Sequence, residues 1–359
     1  MLKSLKGDTI IYSFNGPKRI DTISIDDYVL TNKASYSKVI DIIKNNNLKK
    51  NYKVKINNNI DSFILTKYTE LYSIQNIPYD INIKDIPEYI DYNLQSLPKY
   101  NPIYKLTDFD YIGYTIPPFI DNIILENKSI SSNPDNLDYY RFYGLLMYFN
   151  FNKIFKIDID KHIKVVEFIR NYLNIHYISY TENITKTILF IDFDNTNIDK
   201  KFNINYNNLN KECSIELLKG FLELAVENDN KPYIYYKTAN KNNIYIIKFL
   251  LMKFEILIST IFYNNSNENN KGFDKNNNKT NYIIRIPKTK FICDLFNITF
   301  KPEFVENINY FIYNNHIWTK IKNISEIDSK TVVYMLKLEN DMAHYITDIG
   351  NTNNIIIYN

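Results

Sequence analysis

The sequence predicts a mixed fold: an all-β module assembled from both chain ends, interrupted by an α+β segment made of two similar halves. Three observations predict it. From Gly7 to Val39, apolar residues come in short runs broken by Asn15-Gly16-Pro17 and Asp26-Asp27, the rhythm of short strands and tight turns. After Ser131-Ser-Asn-Pro-Asp135 the apolar spacing becomes helical, and the order helix, strand, helix, strand, strand then occurs twice. From Phe311 onward the short-strand rhythm returns.

The first strands centre on Ile10-Ile11-Tyr12 and Tyr28-Val29-Leu30. Others follow at Tyr52 to Ile56, where Tyr, Val and Ile alternate with Lys, and at Ser62 to Thr66. The proline-rich stretch from Asn76 to Pro118 lacks a period and reads as irregular connection with short strands. Leu137, Tyr140, Gly144, Leu145 and Tyr148 share one helical face, which sets a boundary near Asn133. A strand at Phe155 to Ile159, an amphipathic helix from Lys161 to Asn174, and strands at His176 to Tyr180 and Thr187 to Phe193 complete the first unit. In the second unit a helix opens at Ser214 and runs through Ala225. A strand at Tyr233 to Tyr236, a helix at Asn242 to Phe254, and strands at Leu257 to Phe262 and Tyr282 to Ile286 follow. Asn264 to Asn281 is a low-complexity, solvated hairpin tip. Further strands are expected at Phe311 to Ile312, Ile317 to Ile321, Thr331 to Leu338 and Tyr345 to Ile349. The division is 1–132, then 133–300 (repeats about 133–210 and 211–300), then 301–359.

A chain of 359 residues with 45% hydrophobic content has enough apolar material for two cores and is not disordered throughout. Its abundance of Asn, Ile, Lys and Tyr beside only 7 Gly reads as an AT-rich genome acting on codon choice. The net charge of +3, from 43 basic and 40 acidic residues, neither argues for a nucleic-acid partner nor excludes one. Cys213 and Cys293 cannot form a disulfide framework, and His162, His176, His316 and His344 show no zinc-ligand spacing and read as surface or satisfied histidines. Charged or amide residues interrupt every apolar run before about 20 residues, and no signal-peptide pattern occurs. A soluble, intracellular protein without a membrane partner is expected, in cytoplasm, nucleus or virion.

Phe142 to Phe149 and Leu218 to Ala225 match each other. Each carries a glycine, Gly144 or Gly220, among apolar residues, and a neutral residue five positions on, Phe149 or Ala225. Glycine inside a helix costs about 1 kcal/mol relative to alanine, and close approach of two helix backbones is the simplest compensation. A pseudo-dimeric helix pair is the expectation.

Gly7-Asp-Thr9, Asn15-Gly16, Ile20, Ile23 and Asp27-Tyr-Val-Leu-Thr31 resemble the first block of a Hint domain, the splicing fold of inteins. Phe63-Ile-Leu-Thr66-Lys-Tyr-Thr69 resembles the second block, and Val332 to Leu338 with Asn351-Thr352 resembles the closing blocks. The central segment resembles a LAGLIDADG homing endonuclease, with Tyr236-Lys-Thr-Ala to Phe249-Leu-Leu-Met-Lys-Phe254 where that family places a strand and helix. The resemblance implies an all-β Hint module around a pseudo-symmetric domain of two αββαβ-like repeats. The arrangement is also similar to the free-standing mating-type-switching endonuclease.

The departures from the families decide the function. Ser4 stands as the possible splicing nucleophile and Thr66 is kept, but Thr69 occupies the histidine position, Met335 the Asp position, and Gly350 the histidine position ahead of Asn351-Thr352. Ending the module at Asn359 after Tyr358 restores no histidine. Losing one general acid or base costs about 10²- to 10⁴-fold in rate, so several losses leave negligible splicing. In the endonuclease family the acid ending each helix binds magnesium, and here Phe149 and Ala225 hold those positions; a hard cation requires oxygen ligands. A register shift to Asn150 or Glu227 would be needed for an active nuclease, and magnesium is implied as a cofactor only in that case.

Ile188-Leu-Phe-Ile-Asp192-Phe-Asp194-Asn-Thr196 also resembles the nucleophile loop of haloacid-dehalogenase-like phosphatases, although neither a later acidic metal motif nor a doubly wound framework follows. Lys237, Arg285, Lys288 and Lys290 alternate with Tyr and Ile along expected strands. In the endonuclease family such strands form a saddle in the major groove of duplex DNA. A degenerate protein kept for binding double-stranded DNA, or as a scaffold among other proteins in an assembly such as a virus particle, is the resulting expectation.

Overall fold

The computed structural model describes residues 4–47, 50–59, 61–119, 122–125, 128–131, 137–152, 154–193, 209–227, 230–263, 281–306, 308–339, 346–347 and 350–351. Strands from both chain ends pair into one extended antiparallel system. β1 (Leu5–Lys6) lies between β7 (Phe63–Thr66) and β21 (Thr331–Leu338), so that Leu5 faces Leu65 on one side and Tyr334 on the other. β5 (Tyr36–Asn47) pairs along β21, and β6 (Lys50–Ile56) pairs along β20 (His316–Asp328). Pairing across this sequence distance buries a core of Leu5, Ile11, Val29, Val54, Leu65 and Leu336.

Between these strands lie two units with one element order. The first is α2 (Leu137–Tyr148), β13 (Ile154–Asp158), α3 (Ile159–Ile175), β14 (Tyr180–Thr185) and β15 (Ile188–Phe193). The second is α4 (Lys211–Leu222), β16 (Tyr233–Thr238), α5 (Lys241–Met252), β17 (Ser259–Tyr263) and β18 (Asn281–Pro287), followed by α6 (Lys290–Leu295). The order is α-β-α-β-β and not αββαβ, because each unit puts its second helix straight after its first strand. Each unit's last strand is central in an antiparallel sheet, β13-β15-β14 in one and β16-β18-β17 in the other.

Other local expectations are also corrected. His176 to Ile178 is not strand: Tyr177 takes φ 53° and the Ile178 N–H donates to the Leu173 carbonyl at 2.9 Å, a left-handed cap ending α3. The strand follows at Tyr180, on a sheet edge whose middle is exposed. α4 begins at Lys211, three residues before Ser214, because the Asn210 side chain accepts from the Cys213 N–H at 2.8 Å. Its last residue is Leu222, so Ala225 sits in the turn beyond. The proline-rich connection contains α1 (Ile86–Tyr92), started by Pro87 in the first turn and anchored by buried Ile86 and Ile90. Among the described residues no helix is long and apolar enough to cross a membrane.

α5 joins the central segment to the terminal strands. Phe249 packs on Tyr12 with ring centroids 5.0 Å apart, Lys248 hydrogen-bonds Asn59, Lys241 pairs with Asp61, and the Asn58 side chain donates to the Ile258 carbonyl at 2.8 Å. Lys253, just past the helix, is 4% exposed; it donates to the Leu209 carbonyl at 3.2 Å and lies over Phe119 and Phe249. Burial pushes its ammonium down to about 7 from 10.5. Between those values the unfolded chain binds more protons, so stability rises with pH across this window and the penalty is complete below about 7. Lys253→Met should therefore raise stability at pH 6.5 by about 1–3 kcal/mol and flatten the dependence up to pH 9, measured by urea unfolding at both. Lower stability of the variant at pH 6.5 would refute the burial argument.

Candidate functional site

Ser4 enters the β system immediately ahead of β1 and is 2% exposed. The turn joining β7 to β8 (Glu70–Ile74) is closed by the Thr69 N–H donating to the Thr66 carbonyl at 2.9 Å, which brings the two hydroxyl oxygens to 3.0 Å. The Ser4 N–H donates to Thr66 Oγ1 at 3.1 Å and to Thr69 Oγ1 at 3.2 Å, while the Thr69 hydroxyl and the Thr66 N–H donate to the Ser4 carbonyl at 2.9 and 3.2 Å. Four polar contacts thus fix the N–H and the carbonyl of Ser4 in a buried setting. Carrying the β1–β21 register one residue beyond Leu5↔Tyr334 sets Met335 opposite Ser4. Met335 is buried and contributes a thioether without a transferable proton.

β23 (Gly350–Asn351) lies beside β10 (Tyr111–Thr115) and β8, the strand leading away from Thr69. Thr352 and Asn359 lie outside the described residues. The arrangement fixes the Ser4 N–H and the Ser4 carbonyl. Among the described residues the contacts to Ser4 include no proton donor suited to neutral pH, because an alcohol is far too weak an acid and imidazole is the side chain that titrates there.

A second candidate centre is the α2–α4 contact. A Cβ at Gly144 would lie 2.7 Å from the Phe221 nitrogen, and one at Gly220 would overlap the Arg141 carbonyl, so the backbones touch as expected of close-packed helices. Beyond α2, Phe149 stacks on Phe155 at 4.4 Å. Asn150 takes φ 52° and accepts from the Asn243 side chain at 3.2 Å, while Glu227 is exposed and its backbone carbonyl accepts from Lys288 at 3.4 Å. A stacked phenyl ring and a methyl group at the two turns do not fit magnesium. Sequence reasoning missed Arg141 and Glu223, which pair across the helices at 2.7 and 3.3 Å; burial raises the Glu223 carboxyl despite the guanidinium. The available signal was spacing: Arg141 stands three residues before Gly144 and Glu223 three residues after Gly220, which puts each on the side of its helix that carries the glycine.

The four basic residues do not form one stripe. Lys237 is exposed and Arg285 half-buried, and they share the outer face of the β16-β18-β17 sheet with Tyr233 and Tyr235. Lys288 is 1% exposed and lies over Phe304, out of reach of a phosphate, because β18 ends at Pro287 and the chain turns inward. Lys290 is exposed on the first turn of α6 and not on a strand. The corresponding face of the β13-β15-β14 sheet carries Lys156 beside Asp158 and Asp192.

Asp192 sits on β15 between two antiparallel neighbours, Ile154 and Thr181, and Asp194 lies outside the described residues. A phosphatase nucleophile loop needs the carboxyl edge of a parallel sheet, so that alternative fails on topology. His316 is held by Thr115 at 3.1 Å and the Asn314 carbonyl at 2.7 Å, with burial lowering its basicity. His176 lies over Tyr172 in the α3 cap, and His162 marks a kink at the start of α3. His344 lies outside the described residues. Cys213 and Cys293 are buried free thiols.

No family model matches the chain, and no curated protein matches its sequence. Among solved structures, the gp41-1 intein is 20% identical over 28% of this chain and 75% of its own, with a TM-score of 0.19. I-DmoI in complex with DNA and Mn is 12% identical over 47% of this chain and 100% of its own, with a TM-score of 0.31. I-DmoI with DNA and Ca is 13% identical over 48% and 97%, with a TM-score of 0.29. Similarity at this level carries no functional inference for this chain.

Proposed function

We propose that this protein is an intein-like Hint module, 1–132 with 301–359, enclosing a LAGLIDADG-type domain, 133–300. It neither splices nor cuts, and it acts by binding duplex DNA. The observation that supports this most is the Ser4 network: a peptide held as a splicing site would hold it, with Thr69 in place of the proton donor. The nuclease centre is abandoned in the same way at Phe149 and Ala225, so no metal step is assigned. DNA contact draws on Lys237 and Arg285, set among Tyr233 and Tyr235 on one sheet face. Asp158 and Asp192 on the other face disfavour phosphate there and support a second reading, in which that half docks on a protein within an assembly, a virus particle being one such setting.

A gel-shift titration with random duplex DNA across a salt series separates these readings. Each phosphate contact adds about −0.9 to the log–log salt slope, so Lys237→Ala should weaken binding uniformly and reduce the slope by about one. Lys18→Ala, which removes a pair with Asp27 on the terminal strands, should change neither. Absence of binding at low salt would replace the DNA reading with the scaffold one.

A further inference from the structure

Where the second sheet meets the terminal strands, a cavity of about 200 Å³ is lined by Arg285, Lys322, Asn57, Asn309, Ser259 and Tyr233, among others. It brings together two cations from strands of different sheets, β18 and β20, and none of its lining residues is Asp or Glu. The Arg285 Nε–H is buried without a hydrogen-bond partner among the described residues, and its guanidinium carbon lies 5.8 Å from the Tyr233 ring centroid. A buried charged donor left unpaired is costly and marks a missing ion or water. Lys322 reaches the cavity through an irregularity in pairing: Ile321 faces Ile56 and Asn323 faces Lys55, so Lys322 is the extra residue of a β-bulge. Bulges of this kind re-aim a side chain and cluster at binding sites. Two cations, two amides and a hydroxyl around a small space match the donors that a tetrahedral oxyanion requires.

We propose that this junction pocket binds one phosphate group, gripped by Arg285 and Lys322. The group is either inorganic phosphate or a phosphodiester of a nucleic-acid backbone, since both present the same oxygens. The site shares Arg285 with the proposed DNA contact but is tested apart from it, since that contact is read out at Lys237 and this one at Lys322 with inorganic phosphate. Inorganic phosphate is titrated calorimetrically into the full chain at constant ionic strength, with chloride as the compensating ion. One saturable equivalent is expected, weakened at least tenfold in both Arg285→Gln and Lys322→Gln and unchanged in Lys156→Gln on the other sheet. Lys322 is exposed, so its variant retains the fold and keeps the test decisive even if Arg285→Gln does not; circular dichroism checks both. Repeating the titration with a short duplex present assigns the source: displacement of phosphate identifies a backbone phosphodiester, and undisturbed uptake identifies the free ion. No saturable uptake, or uptake undiminished by Lys322→Gln, overturns the proposal.

Discussion

Gly220→Ala is expected to lower stability by about 3 kcal/mol or more, through forced separation of α2 from α4. Two effects oppose each other. Alanine gains about 1 kcal/mol of helix propensity over glycine. Against this, the added Cβ overlaps the Arg141 carbonyl oxygen and lies 2.8 Å from its carbon, both backbone atoms that no rotamer change can move. Relief requires the helices to part, which opens the core that holds Phe142, Leu146, Leu217 and Phe221 and stretches the Arg141–Glu223 pair. The packing loss exceeds the propensity gain. Gly144→Ala meets Leu217 and Phe221 backbone atoms and should behave alike. The double variant should cost less than the sum of the two, because parting the helices once relieves both clashes. Trp318, the one tryptophan of the chain, is fully buried in β20, so its fluorescence reports the terminal strands while far-ultraviolet circular dichroism reports the helices. The dichroism midpoint in urea should fall first. A midpoint shifted by less than about 0.5 kcal/mol would show that the backbones do not touch.

This contact was legible in the sequence because a helical glycine is costly without a close neighbour, and two matching glycines name each other. The joining of the two chain ends was legible for a similar reason, since short alternating runs need partners. What the sequence concealed lies in tertiary context. Lys288 looked like part of a basic stripe because strand periodicity continues through it, but only the inward turn after Pro287 determines that it is buried. Lys322 drew no notice because a bulge has no signature in one strand alone; it exists only in the mismatch with β6. α1 was hidden by Pro87, whose missing N–H is harmless in a first turn. At the Ser4 site the residue types were read individually, and the closed set of contacts among Ser4, Thr66 and Thr69 came only from the β1–β7 pairing.

The same closed set makes the largest catalytic prediction. With a tagged segment fused ahead of Ser4, the native chain should form the ester there only at a background rate, whereas Thr69→His should form it about 10²- to 10⁴-fold faster. In that step Ser4 Oγ gives up its proton and bonds to the carbonyl carbon of the preceding residue, the C–N bond breaks, and the departing Ser4 nitrogen takes up a proton, so that one proton passes in net from oxygen to nitrogen. Thr69 Oγ1 already lies 3.2 Å from this nitrogen, but as an acceptor from its N–H; only a group acidic near neutral pH can deliver the proton. Histidine at a position 1% exposed must displace neighbours at about 1–3 kcal/mol, so Thr69→Asn serves as the variant of increased size without an acid. Hydroxylamine cleaves the ester and releases the tag, which mass spectrometry counts. The rate in the histidine variant should bend near the imidazole pKa of about 6.5, a feature the other two chains lack. Ligation to a downstream segment should stay absent in all three, since Met335 and Gly350 still supply no acid–base group to the later steps. Tag release from the native chain at the rate of the histidine variant would mean that Thr69 is no obstacle and that splicing competence survives here by another route.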